Sequence, residues 1–102
     1  MSVLAAFSIS PLGDAPDGSV GPAVAEAVRI VRASGLPNET NAMFTNVEGE
    51  WDEVMALIKA CVDRVAEVAP RVSVVVKLDV RPGVSGAMRS KVERIEEQLR
   101  GT

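Results

Sequence analysis

The stretch that most restricts what this chain can become is residues 71–81, Arg-Val-Ser-Val-Val-Val-Lys-Leu-Asp-Val-Arg. Val72, Val74, Val76, Leu78 and Val80 fall on one register, with Arg71, Ser73, Val75, Lys77, Asp79 and Arg81 on the other. A period of two with β-branched residues on one face predicts a strand packed on a core by that face alone. Pro82-Gly83 ends it. A sheet must therefore form, and other segments must supply its remaining strands and its cover.

Residues 3–10 predict a second strand, with Val3, Ala5, Phe7 and Ile9 on one face and Leu4, Ala6, Ser8 and Ser10 on the other. Pro11 and Gly13 end it, and Asp14 to Gly18 reads as a polar loop. Ser19 is placed to cap a helix that has Pro22 in its first turn and Val20, Val24, Ala27, Val28 and Val31 at helical spacing. Gly35 and Pro37 close that helix. Residues 38–48 predict a short hairpin turning near Ala42-Met43, and Gly49 breaks the run. Glu50, Asp52 and Glu53 then sit where a helix N-terminus favours acid. Trp51, Val54, Met55, Ile58, Val62 and Val65 form the apolar stripe of a second helix, stopped by Pro70. Ser85 is placed to cap a last helix striped by Met88, Val92, Ile95 and Leu99.

The order strand, helix, hairpin, helix, strand predicts one α+β domain over residues 1–102. It is a ferredoxin-like βαββαβ sandwich with a four-stranded antiparallel sheet, two helices on one face and an added C-terminal helix. The second sheet face is then left uncovered, with Ser8, Ser10, Lys77, Asp79 and Arg81 on it beside Leu4, Ala6 and Val75. Such a face is solvated, a partner surface or a ligand platform. Its apolar residues, together with the last helix, predict an obligate oligomer.

Composition narrows the chemistry. The chain has no histidine, no tyrosine and one cysteine, Cys61. Histidine-based triads and metal sites and Cys/His pairs are therefore unavailable, no internal disulfide can form, and a reducing cytoplasm fits. No metal or redox cofactor is expected, because only scattered carboxylates remain as side-chain ligands. With 14 acidic and 11 basic residues the net charge is -3, which argues against nucleic acid as a partner. No apolar run reaches the roughly 20 residues of a membrane span, and the N-terminus carries no signal-peptide pattern.

Three stretches together resemble the small thiamine-binding proteins of ferredoxin-like fold. They are Leu4-Ala5-Ala6-Phe7-Ser8-Ile9-Ser10-Pro11-Leu12-Gly13, Thr45-Asn46-Val47-Glu48-Gly49-Glu50-Trp51-Asp52-Glu53-Val54-Met55, and Val76-Lys77-Leu78-Asp79-Val80-Arg81. The likeness runs essentially end to end. It implies a non-enzymatic homo-oligomer, usually a homotetramer built as a dimer of dimers, that binds thiamine or its hydroxymethylpyrimidine moiety. In this chain Ala6 stands where an acidic residue is common. Phe44 and Asn46 replace a glycine and a β-branched apolar residue, and Phe44 is large enough to fill ligand space.

An aminopyrimidine needs donors and acceptors, which hydroxyls and a carboxylate can supply, and an aromatic face can hold the cationic thiazolium. The candidate binding residues are accordingly Ser8, Ser10, Asn41, Thr45, Glu48, Trp51, Lys77 and Asp79, expected where strand ends meet the start of the second helix. Each has a plainer role. Asp79 can pair with Lys77 or Arg81, Glu48 can favour a helix terminus, Asn41 can make the hairpin turn, and Trp51 can be core or interface. Ser8, Ser10 and Thr45 can be ordinary strand residues. Cys61 reads as inert packing and the charges of residues 89–100 as a solvated helix face. The competing functions are a structural or regulatory oligomer without a ligand, and a small ferredoxin-like enzyme using Asp79 or Glu48 as acid or base.

Overall fold

A computed structural model of the chain describes residues 1–13, 21–82 and 86–101. Its elements are β1 (Ser2–Leu12), α1 (Gly21–Ala33), β2 (Asn38–Thr40), β3 (Thr45–Glu50), α2 (Trp51–Ala66), β4 (Arg71–Val80) and α3 (Ala87–Arg100). The four strands form one antiparallel sheet in the order β2-β3-β1-β4. This is the ferredoxin-like α+β arrangement that the alternating patterns predict, with the additional C-terminal helix present.

β1 is the organising strand because it pairs on both sides, with β3 and with β4. Its register sets Ala5 opposite Val47 and Leu78, and Phe7 opposite Thr45 and Val76. Val3, Ala5 and Phe7 are buried under α1 and α2, whose Ala27, Val31, Val54, Leu57, Ile58, Cys61 and Val65 complete the core. Leu57 and Cys61 belong to the buried stripe of α2, whereas Met55 and Val62 lie at its margin.

Several boundaries differ from the sequence expectation, each for a local reason. β1 continues through Pro11 to Leu12, because from Ser8 onward its ladder partner is β4 alone, so a missing N–H on the other side breaks no ladder bond. Gly49 does not break the hairpin. It sits within β3 opposite Val3, where a Cβ would lie 3.2 Å from Leu36 Cδ2 and 3.4 Å from Val54 Cγ2. The glycine thus leaves room for the Leu36 side chain of the α1–β2 connection to pack closely on β3. Trp51 opens α2 and is 38% exposed rather than part of the buried stripe. The expected polar loop at 14–18 and the caps at Ser19 and Ser85 lie outside the described residues.

The second sheet face is not left bare along its whole length. α3 begins over it, with Ala87 buried against β3 and Lys91 paired with Asp79 of β4. Among the described residues no helix is long and apolar enough to cross a membrane.

Candidate ligand-binding cavity

The end of β1 extends past the start of β3. The β1–β3 ladder stops at Phe7 opposite Thr45, so Ser8, Ile9 and Ser10 border a notch in the sheet. Thr40 of β2, residues 41–44 of the β2–β3 connection and the buried side of α1 close around that notch. The result is a cavity of about 250 Å³ lined by Phe7 to Ser10, by Val24, Ala27, Val28 and Val31, and by Thr40 to Thr45.

The wall that carries the polar groups is held by an Asx turn. Asn41 Oδ1 accepts the N–H groups of Met43 and Phe44, each at 2.9 Å, and the Asn41 N–H donates to the Phe44 carbonyl at 2.9 Å. A side chain that mimics a backbone turn fixes the four-residue connection. It also consumes the amide oxygen and leaves the Nδ2 amine, which has no hydrogen bond among the described residues. Thr45 is 8% exposed and is the most deeply buried polar residue of the wall. Thr40, paired with Thr45 across the hairpin, lies on the same face. Ser8 and Ser10 border the notch from β1, on the register that alternates with the buried Phe7. Phe7 and Phe44 add aromatic surface. Phe44 forms part of the wall, and the cavity persists beside it.

No Asp, Glu, Lys or Arg is among these lining residues. The cavity therefore offers apolar contact, hydroxyls and an amide, and its own wall supplies no charged acid or base. Among the described residues there is also no cluster of three His, Cys, Asp or Glu side chains spaced to hold a metal ion.

The eight residues singled out in the sequence divide into two groups. Ser8, Ser10, Asn41 and Thr45 meet at the cavity. Glu48, Trp51, Lys77 and Asp79 lie toward the other end of the sheet, because antiparallel pairing sets the end of β1 beside the start of β3, not beside its end. Leu4 pairs with Glu48 on one side and Asp79 on the other, four residues before Ser8. At the rise of a β-strand that separation is about 13 Å. A single heterocycle cannot touch both groups.

The second group has internal partners. Glu48 is 6% exposed, and its Oε2 accepts the Ala87 N–H at 2.7 Å, so a strand carboxylate caps α3. Asp79 pairs with Lys91 of α3, not with Lys77 or Arg81 as its main partner. The hydrogen bond from Lys91 holds its carboxyl below the usual carboxylate range. The Trp51 N–H donates to the Met1 carbonyl at 3.0 Å, and Lys77 is exposed on the outer face. Cys61 lies behind the cavity, its thiol directed at the Ala27 carbonyl at 3.4 Å and pushed up to about 11 by burial. The missed lining residues, Thr40, Ala42, Met43 and Phe44 among them, come from the turn whose role depends on the notch. Only the strand lengths could have signalled it.

Comparison with known proteins agrees with this architecture. The sequence profile of the family described as Thiamine-binding protein matches residues 5–96. A UPF0045 protein of Mycobacterium bovis is 56% identical over 97% of this chain and 96% of its own. The crystal structure of a hypothetical protein from Methanocaldococcus jannaschii superposes with a TM-score of 0.82 at 33% identity, covering 94% of this chain and 97% of that one. A Thermotoga maritima protein assigned provisionally to thiamine biosynthesis or salvage shares the fold, with a TM-score of 0.77 at 22% identity over 93% of this chain and 99% of its own. The chain belongs to the Thiamine-binding protein family.

Proposed function

We propose that this member of the Thiamine-binding protein family binds thiamine, or the hydroxymethylpyrimidine that forms half of it, without catalysing a reaction. It would do so in the cytoplasm as a homo-oligomer. The observation that carries this reading is the cavity at the β1–β3 notch, with its buried Thr45, the anchored Asn41 amide and two aromatic walls, and with no charged residue on it.

At about 250 Å³ the cavity falls just below the roughly 300–1,000 Å³ typical of drug-sized ligands. It therefore suits one aromatic ring better than two. The pyrimidine enters, with Thr45 and Asn41 in reach of its nitrogens. A thiazolium, where present, stays at the mouth against the face of Phe44, since an aromatic ring attracts a cation without a buried counter-charge. Binding without turnover fits a wall that has hydroxyls and no neighbouring base to activate them. Self-association is supported by exposed aliphatic side chains on β4 and α3: Val74, Val75 and Val76 on the strand, and Val92, Ile95 and Leu99 on the helix.

Calorimetric titration of thiamine and hydroxymethylpyrimidine into the parent protein and into Thr45→Val tests the site. Replacing the hydroxyl by a methyl group should lower affinity by about 0.5–1.5 kcal/mol, or about 2- to 13-fold. Equal affinities would remove Thr45 from the site. Absence of binding by the parent would leave a ligand-free structural oligomer as the better reading.

A further inference from the structure

The turn beside the cavity uses one half of an amide and leaves the other. Asn41 Oδ1 accepts the N–H groups of Met43 and Phe44, both at 2.9 Å, which occupies the two lone pairs of a carbonyl oxygen. An amide nitrogen cannot accept, so these two bonds also settle which end of the Asn41 amide is oxygen. What remains for a ligand is the amine, which only donates.

The other polar side chains of the hairpin wall are hydroxyls. Thr45 is 8% exposed, and its hydroxyl has no hydrogen bond among the described residues. No enclosed side-chain oxygen or nitrogen among them lacks a partner. The Thr45 hydroxyl is therefore open, and the cavity is what Thr45 lines. Thr40 pairs with Thr45 across the hairpin and lines the cavity too. A hydroxyl donates or accepts according to what it meets. Among the described lining residues, then, no side chain offers a free oxygen that can only accept.

We propose that Asn41 sets the class of ligand: the cavity reads an acceptor on the ring and does not require the exocyclic amine, so it takes amino and oxo pyrimidines alike. This rests on the pyrimidine reading above and names the chemistry by which the ring is recognised. The edge of an aminopyrimidine presents a ring nitrogen that accepts beside an amine that donates. The edge of the oxo form presents an oxygen that accepts beside a ring N–H that donates. Each edge has one acceptor for the Asn41 amine and one donor for a threonine hydroxyl. The two forms hold them in exchanged positions, and hydroxyls adjust by rotation. A carboxylate in place of the amide would behave differently. It would accept the exocyclic amine but oppose an oxo group with another oxygen. A group left unpaired in that way costs about 5- to 150-fold in affinity, or about 1–3 kcal/mol.

Calorimetric titration with thiamine and with oxythiamine, in which an oxo group replaces the exocyclic amine, tests the proposal. For the parent the two dissociation constants should lie within about fivefold, below the smallest penalty for an unpaired group. Asn41→Asp keeps an oxygen for the turn and puts a second acceptor where the amine was. It should weaken oxythiamine relative to thiamine by about fivefold or more. Amide exchange at Met43 and Phe44 reports on the turn, and should stay slow in Asn41→Asp while quickening in Asn41→Ala. A disturbed turn alone would weaken both compounds together, so the ratio between them isolates the part played by the amine. A parent that binds neither compound overturns the pyrimidine reading and this one with it. A parent that binds thiamine and disfavours oxythiamine by more than about fivefold overturns this inference and leaves thiamine binding standing. An Asn41→Asp ratio equal to that of the parent, with the turn amides still protected, also overturns it. The parent comparison needs no substitution, so it decides the matter even where a variant disturbs the turn.

Discussion

The two ends of β1 have similar inventories of polar side chains and opposite uses for them. At the end toward Leu4, Glu48 is committed to the first amide of α3, Asp79 to Lys91, and Glu50 to the terminal ammonium of Met1. At the end toward Ser10, Thr45 and Asn41 line the cavity, and Ser8 and Ser10 border the notch beside it. Charged residues hold the added helix, and uncharged ones line the cavity. Polarity on a sheet is therefore a poor guide to a site until its partners are known, because the more strongly charged end here already has partners within the chain.

The largest effect expected from perturbing either end is that of Glu48→Ala. A carboxylate only 6% exposed is lost, and the buried Ala87 N–H loses its acceptor. The cost should be about 1–3 kcal/mol of stability, read by chemical denaturation, with faster amide exchange in the first turn of α3. Ligand affinity should be unchanged, since the cavity lies about 13 Å away along the strand. Glu48→Gln, which keeps an acceptor, should lose less. An affinity that falls with Glu48→Ala would show that the two ends are coupled.

Asp79→Asn comes next and acts through a solvent-exposed pair, so its effect on global stability should be small. Its signature is pH dependence. Lys91 depresses the folded-state pKa of Asp79. The pair's contribution is therefore complete above the unfolded carboxylate value and is lost as pH falls through the lower folded value. Amide exchange in α3 of the parent should quicken on acidification across that window, and this component should be missing from Asp79→Asn.

Cys61 gives the smallest effect near neutral pH and bears on the cavity end. Its thiol is raised from 9.0 to about 11 by burial. Between those values the unfolded chain ionises and the folded one does not, so this group lowers stability as pH rises from 9 toward 11. Native protein at pH 8 should react with an aromatic disulfide only after unfolding. Rapid modification of the native protein would mean that the packing behind Ala27 opens.

Much of the fold was legible because its signals are short-range. Alternation over Val72 to Val80 and Val3 to Ile9 identifies the central and edge strands, and the spacing of Val54, Ile58 and Val65 marks the helix against them. Half of the candidate binding residues meet at one cavity, because Ser8, Ser10, Asn41 and Thr45 all belong to β1 or the hairpin beside it. The remainder was hidden by long-range geometry. The Glu48–Ala87 contact joins residues 39 apart in sequence, and nothing near Glu48 distinguishes a cap for α3 from one for α2. Trp51 reads as core by spacing, yet it opens α2 and stays 38% exposed.

The central place of β1 also bears on how the protein is made. Its partners are β3, which starts at Thr45, and β4, which ends at Val80. Of the four strands, the one made first is therefore the one that must wait longest for its ladders. At translation rates of about 5–20 residues per second, the 68 residues between Leu12 and Val80 take roughly 3–14 s to synthesise. During that interval Val3, Ala5, Phe7 and Ile9 have no complete sheet to join. A nascent chain stalled before β4 emerges should consequently be protease-sensitive along β1, while one stalled well beyond Val80 should be protected.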